Sequence, residues 1–194
     1  MTLTQEEVDR LLEVIQKERP DILPIVRFML AIPCRAFSEL VNAKVDQLQD
    51  NNTVIFIPTS KNGDSIFKPV PLAMADYFNS IPNGCPWLFY QKVDGEYHPL
   101  TNLRHAFEVC RKKAAVGFPN LSTFRIHDLR HLAVSGLVLH GLPVQLLMKI
   151  CGWKKDQSHI YCNISQKSGA EYFLSMEKEA LKLASQGTTD GTTK

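Results

Sequence analysis

No apolar run in the sequence is long enough to span a bilayer, and the opening MTLTQEEVDR has neither the basic nor the apolar region of a secretion signal. The expectation is a protein that stays in the cytoplasm and has no membrane partner. Its five cysteines, Cys34, Cys85, Cys110, Cys151 and Cys162, are odd in number, widely spread and without CxxC spacing. That pattern suggests neither a disulfide framework nor a zinc site, and it leaves reduced thiols as the default. His98, His105, His140 and His159 show no metal-ligand spacing, so no metal and no cofactor is expected. Excess charge is also scarce: the formal net charge is +2, so composition does not single out a nucleic-acid partner. The short basic runs Arg111 to Lys113 and Lys154 to Lys155 can meet phosphates, although such runs are ordinarily solvated surface. Internal repeats and clear domain linkers are missing too. What remains is 194 residues with 44% hydrophobic and 22% charged side chains, which fits one globular domain with a substantial core.

Thr4-Gln5-Glu6-Glu7 has the form of a capping box, and Val8, Leu11, Leu12 and Ile15 follow at helical spacing, predicting a helix over about 5–17. Pro20 and Pro24 bracket a turn. Ile25 to Ile32 is apolar almost all round, which predicts a buried helix ending near Pro33, with Arg35 just beyond the break. RAFSELVNAKVDQL resumes in helical style with Leu40, Val41 and Val45 as core positions. TVIFIPTSKNGDSIFKPVPL reads as two β-prone runs joined through Lys61-Asn62-Gly63-Asp64, which places Lys61 at a hairpin tip or shoulder. LAMADYFNSI returns to helix, and CPWLFYQ is a short apolar segment between turn signals. Leu103, Ala106, Phe107, Cys110 and Ala114 mark a helix after a Thr101 cap. Leu129, Leu132, Ala133, Gly136 and Leu137 line the core face of the next, which Gly141 and Pro143 end. Val144, Leu147, Met148 and Cys151 define another that Gly152 caps. A last amphipathic helix within residues 167–187 precedes a polar tail. The fold class is mainly α with a small antiparallel β-sheet, an α+β domain.

The chemistry concentrates at IHDLRH. His127 and Arg130 stand three apart, so both project to one side of a helical turn while Leu129, Leu132 and Ala133 hold the core face. A guanidinium offers a fork of donors suited to phosphate oxygens, and an imidazole exchanges protons near neutral pH, so together they suit phosphoryl chemistry. Taken alone, the same pair reads as a helix cap and a surface ion pair. Lys61 alone reads as a solvated turn residue, Trp153 as a core aromatic, and Tyr161 as a half-buried strand residue. His131 reads equally as a buttress of the site or as core.

The order of motifs favours the functional reading. HDLRH, then LMKICGW 23 residues from Arg130 to Trp153, then HIYCNI, resembles the C-terminal half of the tyrosine recombinase (phage integrase) catalytic domain, whose usual form is H-x-L-R-H, L-G-H/W and I-Y. CRAFSEL resembles the family's G-x-R-x-S-E-L block, and TSKNGDSIFKPVPL its lysine-bearing hairpin ending in a Pro-Leu step. The resemblance runs from about Thr4 to Met176. It implies that Arg35 and Arg130 clamp the non-bridging oxygens of a scissile DNA phosphate, that His127 gives acid-base support, and that Lys61 is the general acid for the departing 5′-hydroxyl. Trp153 stands where the family has His or Trp; an indole N–H donates one hydrogen bond but shuttles no proton. Tyr161 is the implied nucleophile, its phenolate stabilised by the surrounding cations without a metal. The resemblance also implies Glu39 and His131 as residues that support these groups from behind.

This sequence departs from the family pattern at three places. Glu39 lies four residues after Arg35 where the family commonly has three, Pro33-Cys34 replaces a glycine-containing turn, and Trp153 to Tyr161 is eight residues, one fewer than the commonest spacing. Tyr172 is therefore the runner-up nucleophile. The resemblance further implies a single catalytic domain over 1–180 with a flexible tail over 181–194, without the helical domain that family members place before it. It implies double-stranded DNA as partner, with weak affinity, a monomer when free and a homo-tetramer on paired DNA sites, acting in the nucleoid of a bacterial or phage-infected cell. The competing expectations are a catalytically inactive DNA-binding or regulatory module on the same fold, and a type IB topoisomerase-like nicking enzyme.

Overall fold

The first helix starts where its capping box places it. The Glu7 amide donates to the Thr4 hydroxyl at 3.2 Å and the Thr4 amide donates to the Glu7 carboxylate at 2.8 Å, which satisfies two donors that a helix start otherwise leaves open. In the computed structural model, which describes residues 3–59 and 63–158, this helix (α1) spans Gln5–Glu18 and buries Leu11, Val14 and Ile15. The second (α2) spans Leu23–Ala31 and carries Pro24 in its first turn, where a missing N–H loses no helical bond. Phe28 of α2 meets Phe78 and Phe89 edge-on, with ring centroids 6.2 and 5.7 Å apart. Each such pair adds about 0.5–1.5 kcal/mol to the burial itself.

Beyond Arg35 the expected helix does not continue. Residues Ala36–Leu40 form one wide π-turn, and Val45–Gln47 a short 3₁₀ turn with Val45 exposed. A competing partner draws the chain away from helical bonding. The Val45 amide donates to the Pro86 carbonyl and the Leu88 amide to the Ala43 carbonyl, so this stretch zips against residues 86–88.

Strands β1 (Leu48–Gln49), β2 (Val54–Ile57) and β3 (Ile66–Pro69) form an antiparallel sheet in that order. Alternation puts Ile55, Ile57, Ile66 and Lys68 on the covered face. The β2–β3 connection runs over 58–65, and Lys61 and Asn62 within it lie outside the described residues. Helix α3 spans Ala75–Asn79. A second hairpin, β4 (Tyr90–Val93) and β5 (Glu96–Pro99), turns at Asp94-Gly95, both with positive φ. Helix α4 (Leu103–Ala114) buries all five expected positions, but its N-cap is Asn102 rather than Thr101 and no side chain caps it. Helices α5 (Asp128–Leu139) and α6 (Val144–Cys151) complete the described chain. Tyr161, Tyr172, the last amphipathic helix and the tail fall outside the described residues.

Helix α1 packs on α4, α2 on α5, and α6 on β3. The apolar interior is divided. One large cluster runs from α1 through the β1–β3 sheet and α4 to Leu129, while a small one holds Val134, Leu147, Cys151 and Trp153 between α5 and α6. Among the described residues no helix is long and apolar enough to cross a membrane.

Candidate active site

The site lies on the seam between those two clusters, and the wide turn after Arg35 builds its floor. The Val41 amide donates to the Ala36 carbonyl at 2.8 Å, five residues back, so the turn holds one more residue than an α-turn. The four-residue spacing of Glu39 from Arg35 fits within that turn, and the Glu39 carboxylate points inward. Its Oε2 accepts from the Arg35 amide and its Oε1 from Arg35 Nη1, both at 3.0 Å. Glu39 thus grips Arg35 by backbone and guanidinium together, while Arg35 keeps about a fifth of its side chain in solvent.

Two further cations reach the same buried carboxylate. Lys68 Nζ stands 2.9 Å from Glu39 Oε2 and Arg130 Nη1 stands 4.0 Å from Oε1. Lys68 is fully buried and Arg130 nearly so. A buried charge is tolerated only with partners on every side, and both have them. Lys68 Nζ also donates to the carbonyls of Pro33 at 2.9 Å and Ile150 at 2.5 Å. Arg130 donates from Nη1 to Pro33 at 3.4 Å and from Nη2 to Cys151 at 2.9 Å. Arg130 therefore does not pair with a surface carboxylate.

These bonds complete the end of α6. A helix leaves its last four carbonyls without internal partners. Here Met148 accepts from the Trp153 amide and Lys149 from the Gly152 amide, the pattern of a left-handed glycine cap, while Ile150 and Cys151 accept from Lys68 and Arg130. Cations at a helix C-terminus also complement its dipole. Gly152 is favoured by its φ of +65°, and a Cβ there would also press on the tip of the Ile66 side chain of β3.

His127 occupies the N-cap position of α5, yet its side chain makes no capping bond. Asp128 turns back instead to accept from the Arg125 amide and guanidinium. His127 remains accessible to solvent as a residue, and its ring, partly covered, stands edge-on to His131 with centroids 5.3 Å apart. Partial burial first, then the neighbouring His131 and Arg130, hold the His127 pKa below the usual histidine value; burial does the same for His131. A neutral imidazole at the mouth can accept a proton at pH 7. Trp153 is buried against Val134, Leu147 and Cys151, so its ring is also core. Cys34, beside Arg35, is fully buried, and burial pushes its thiol up to about 12, so it is inert as a nucleophile.

Of the expected site residues, the structure brings together Arg35, Glu39 and Arg130, with His127 and His131 on the turn that carries Arg130 and Trp153 at the end of α6. Lys61 and Tyr161 are not among the described residues. The basic runs are largely engaged within the chain: Arg111 donates to the Leu121 and Ser122 carbonyls, Lys113 pairs with Glu18, and Lys154 pairs with Asp64 at 3.2 Å. Among the described residues no three His, Cys, Asp or Glu side chains group as metal ligands. Lys68 was not anticipated from the sequence, although a signal was present. It shares the inward register of β3 with Ile66, and a lysine in such a slot demands a buried anion.

The chain is 25% identical over 174 residues to the tyrosine recombinase XerA of Pyrococcus furiosus, covering 86% of this chain and 58% of that protein. Its fold matches the catalytic domain of bacteriophage HP1 integrase, with a TM-score of 0.62 at 21% identity over 88% of this chain and 93% of that one. It also matches the Tn1549 transposon integrase in complex with circular intermediate DNA, with a TM-score of 0.64 at 17% identity over 89% and 64% of the two chains. The order of Arg35, Glu39, the β2–β3 hairpin, His127-x-x-Arg130 and Trp153 agrees with a match to the phage integrase family over residues 1–168, and the chain belongs to that family of tyrosine recombinases.

Proposed function

We propose that this chain is a catalytic domain, within residues 1–180, that cuts and rejoins double-stranded DNA through a 3′-phosphotyrosyl intermediate, without a metal. The observation that carries this reading is the convergence of two guanidiniums, 95 residues apart in sequence, on one oxygen of the buried Glu39, with Arg35 at 3.0 Å and Arg130 at 4.0 Å. Three cations around one carboxylate leave a surplus of two positive charges, which suits the two negative charges of a pentacoordinate phosphorane. The cleft of about 420 Å³ beside His127 is lined by Arg104, Arg111 and Arg125, which supports a polyanionic partner. The Tn1549 integrase, a fold relative in complex with DNA, supports the same partner.

On this reading the Tyr161 oxygen attacks the scissile phosphorus and its proton passes to neutral His127 or to solvent. The bond to the 5′-oxygen breaks, and Lys61 protonates that oxygen. Arg35 and Arg130 hold the non-bridging oxygens as charge builds. The phosphotyrosyl bond conserves the energy of the broken bond, so a second strand's 5′-hydroxyl can reverse the step and complete strand exchange. Trp153 contributes packing and one N–H donor rather than proton transfer. The free chain is a monomer that assembles as a tetramer on paired sites in the nucleoid.

Trapping on a nicked duplex carrying the cognate element end, without divalent metal, tests the proposal. Wild type and Tyr172→Phe form a covalent adduct, and Tyr161→Phe forms none while still binding DNA. Loss in Tyr172→Phe instead moves the nucleophile, and no adduct from wild type despite DNA binding turns the reading to a regulatory module.

A further inference from the structure

Lys68 is the one fully buried cation among the described residues, and beyond its charge in the cluster around Glu39 the proposed chemistry gives it no step and no reacting atom to touch. It is not a second candidate for the general acid, because with no exposed surface its ammonium group cannot meet a departing oxygen. Its three partners nevertheless all belong to groups that hold the arginines. Glu39 Oε2, which Lys68 meets at 2.9 Å, also accepts from the Arg35 amide at 3.0 Å. The Pro33 carbonyl accepts from both Lys68 and Arg130. The Ile150 carbonyl, which Lys68 meets at 2.5 Å, is adjacent to the Cys151 carbonyl that anchors Arg130 Nη2. Lys68 and Arg130 thus tie the same two backbone stretches, the end of α2 and the end of α6, to one carboxylate.

We infer that Lys68 is a positioning residue of the strand-cleavage site. It fixes Glu39 and the two backbone stretches so that Arg35 and Arg130 present their guanidiniums in one fixed arrangement. This rests on the function proposed above. Without Lys68, the Ile150 carbonyl is left unanswered inside the protein and Glu39 keeps only the arginines, so Glu39 draws Arg130 Nη1 inward from 4.0 Å and away from the place a phosphate takes. Two guanidiniums competing for a carboxylate are poor at clamping a phosphate.

Lys68→Met keeps the length and apolar stem of the side chain and removes the charge. The first test reads the Arg130 guanidinium N–H resonances in ¹⁵N-labelled free chain, assigned by their loss in Arg130→Lys. The expected result is slowly exchanging, resolved signals in wild type that broaden or shift in Lys68→Met while signals of the Phe28 region stay in place. Unchanged Arg130 signals overturn the proposal. The second test reads single-turnover cleavage of a duplex with an ordinary scissile phosphate and of one with a neutral methylphosphonate there. Lys68→Met is expected to slow the ordinary substrate about tenfold or more with DNA affinity held within about threefold, and the neutral substrate is expected to remove most of that deficit, because it needs less charge neutralisation. Equal slowing on both substrates, or none, overturns it as well. If Lys68→Met does not fold, Lys68→Met/Glu39→Met removes the buried pair together, which proteins tolerate better than removing one partner. Wild-type Arg130 signals and cleavage in that double variant would overturn the proposal. Failure of wild type to form any adduct counts against the strand-cleavage reading, while the resonance test still decides what Lys68 holds.

Discussion

The large and small apolar clusters serve the site in different ways. The large one seats Arg35 and Glu39 on a turn anchored by α2 and by the aromatic group of Phe28, Phe78 and Phe89. The small one, Val134, Leu147, Cys151 and Trp153, holds the far wall with few apolar contacts and depends on ionic and carbonyl bonds at the end of α6. Regions with few buried contacts open locally at lower free energy. The half built on the large cluster therefore seats Arg35 and Glu39 through apolar packing, and the half that carries Trp153, to which Arg130 is tied through the Cys151 carbonyl, is the one whose posture polar bonds decide.

The largest effect that tests this contrast is Phe28→Ala. It should cost about 3–5 kcal/mol in chemical denaturation and lower hydrogen-exchange protection in both halves, since the small cluster is built against the large one. If the protection of α6 survived that change, the two halves would be independent units. Leu147→Ala should cost about 2–3 kcal/mol, with its effect concentrated on α6. Exchange of α6 amides should speed up by about two orders of magnitude while α2 amides change little; equal acceleration in α2 would erase the distinction. Gly152→Ala should cost about 1–2 kcal/mol for the left-handed backbone alone, with a further steric cost against Ile66. Ile66→Val, which deletes the Cδ1 atom, should recover the steric part in a double-mutant cycle and none of the backbone part.

The smallest effect is that of pH. His127 and His131 have folded pKa values below the unfolded histidine value, so the unfolded chain binds protons first as pH falls. Their contribution to stability is complete above about pH 6.5 and is lost progressively as pH falls through the lower folded values. A His127→Gln/His131→Gln chain should show a flatter dependence of denaturation midpoint on pH in that window. An unchanged slope would assign it to carboxylates.

Much of this was legible in the sequence, and the exceptions have physical causes. Periodicity located α1, α2, α4, α5 and α6 because each buries one face, and the Thr4/Glu7 capping box is formed by residues close in the chain. The stretch after Arg35 carries helical periodicity but is not continuous helix, because the bonds that end it go to Pro86 and Leu88, some forty residues away. The β4–β5 hairpin is hard to see in the sequence although Asp94-Gly95 marks its turn, since the flanking strands are half exposed and lack clear alternation. At the candidate site, the order of motifs singles out Arg35, His127, Arg130 and Trp153, and the structure places Arg35 and Arg130 on Glu39 with His127 on the turn of Arg130 and Trp153 at the end of α6. Lys68 stayed hidden because its role comes from distant partners at Pro33, Glu39 and Ile150.

The wide turn at residues 36–40 bears on how such a site tolerates change in length. An added residue in a tight α-turn rotates everything after it by about 100°, yet here the four-residue spacing fits within one loop of backbone and Glu39 keeps its hold on Arg35. What the site holds fixed is therefore the meeting of arginine and acid in space, and a five-residue turn achieves it as well as any other spacing that lets Glu39 fold back on Arg35.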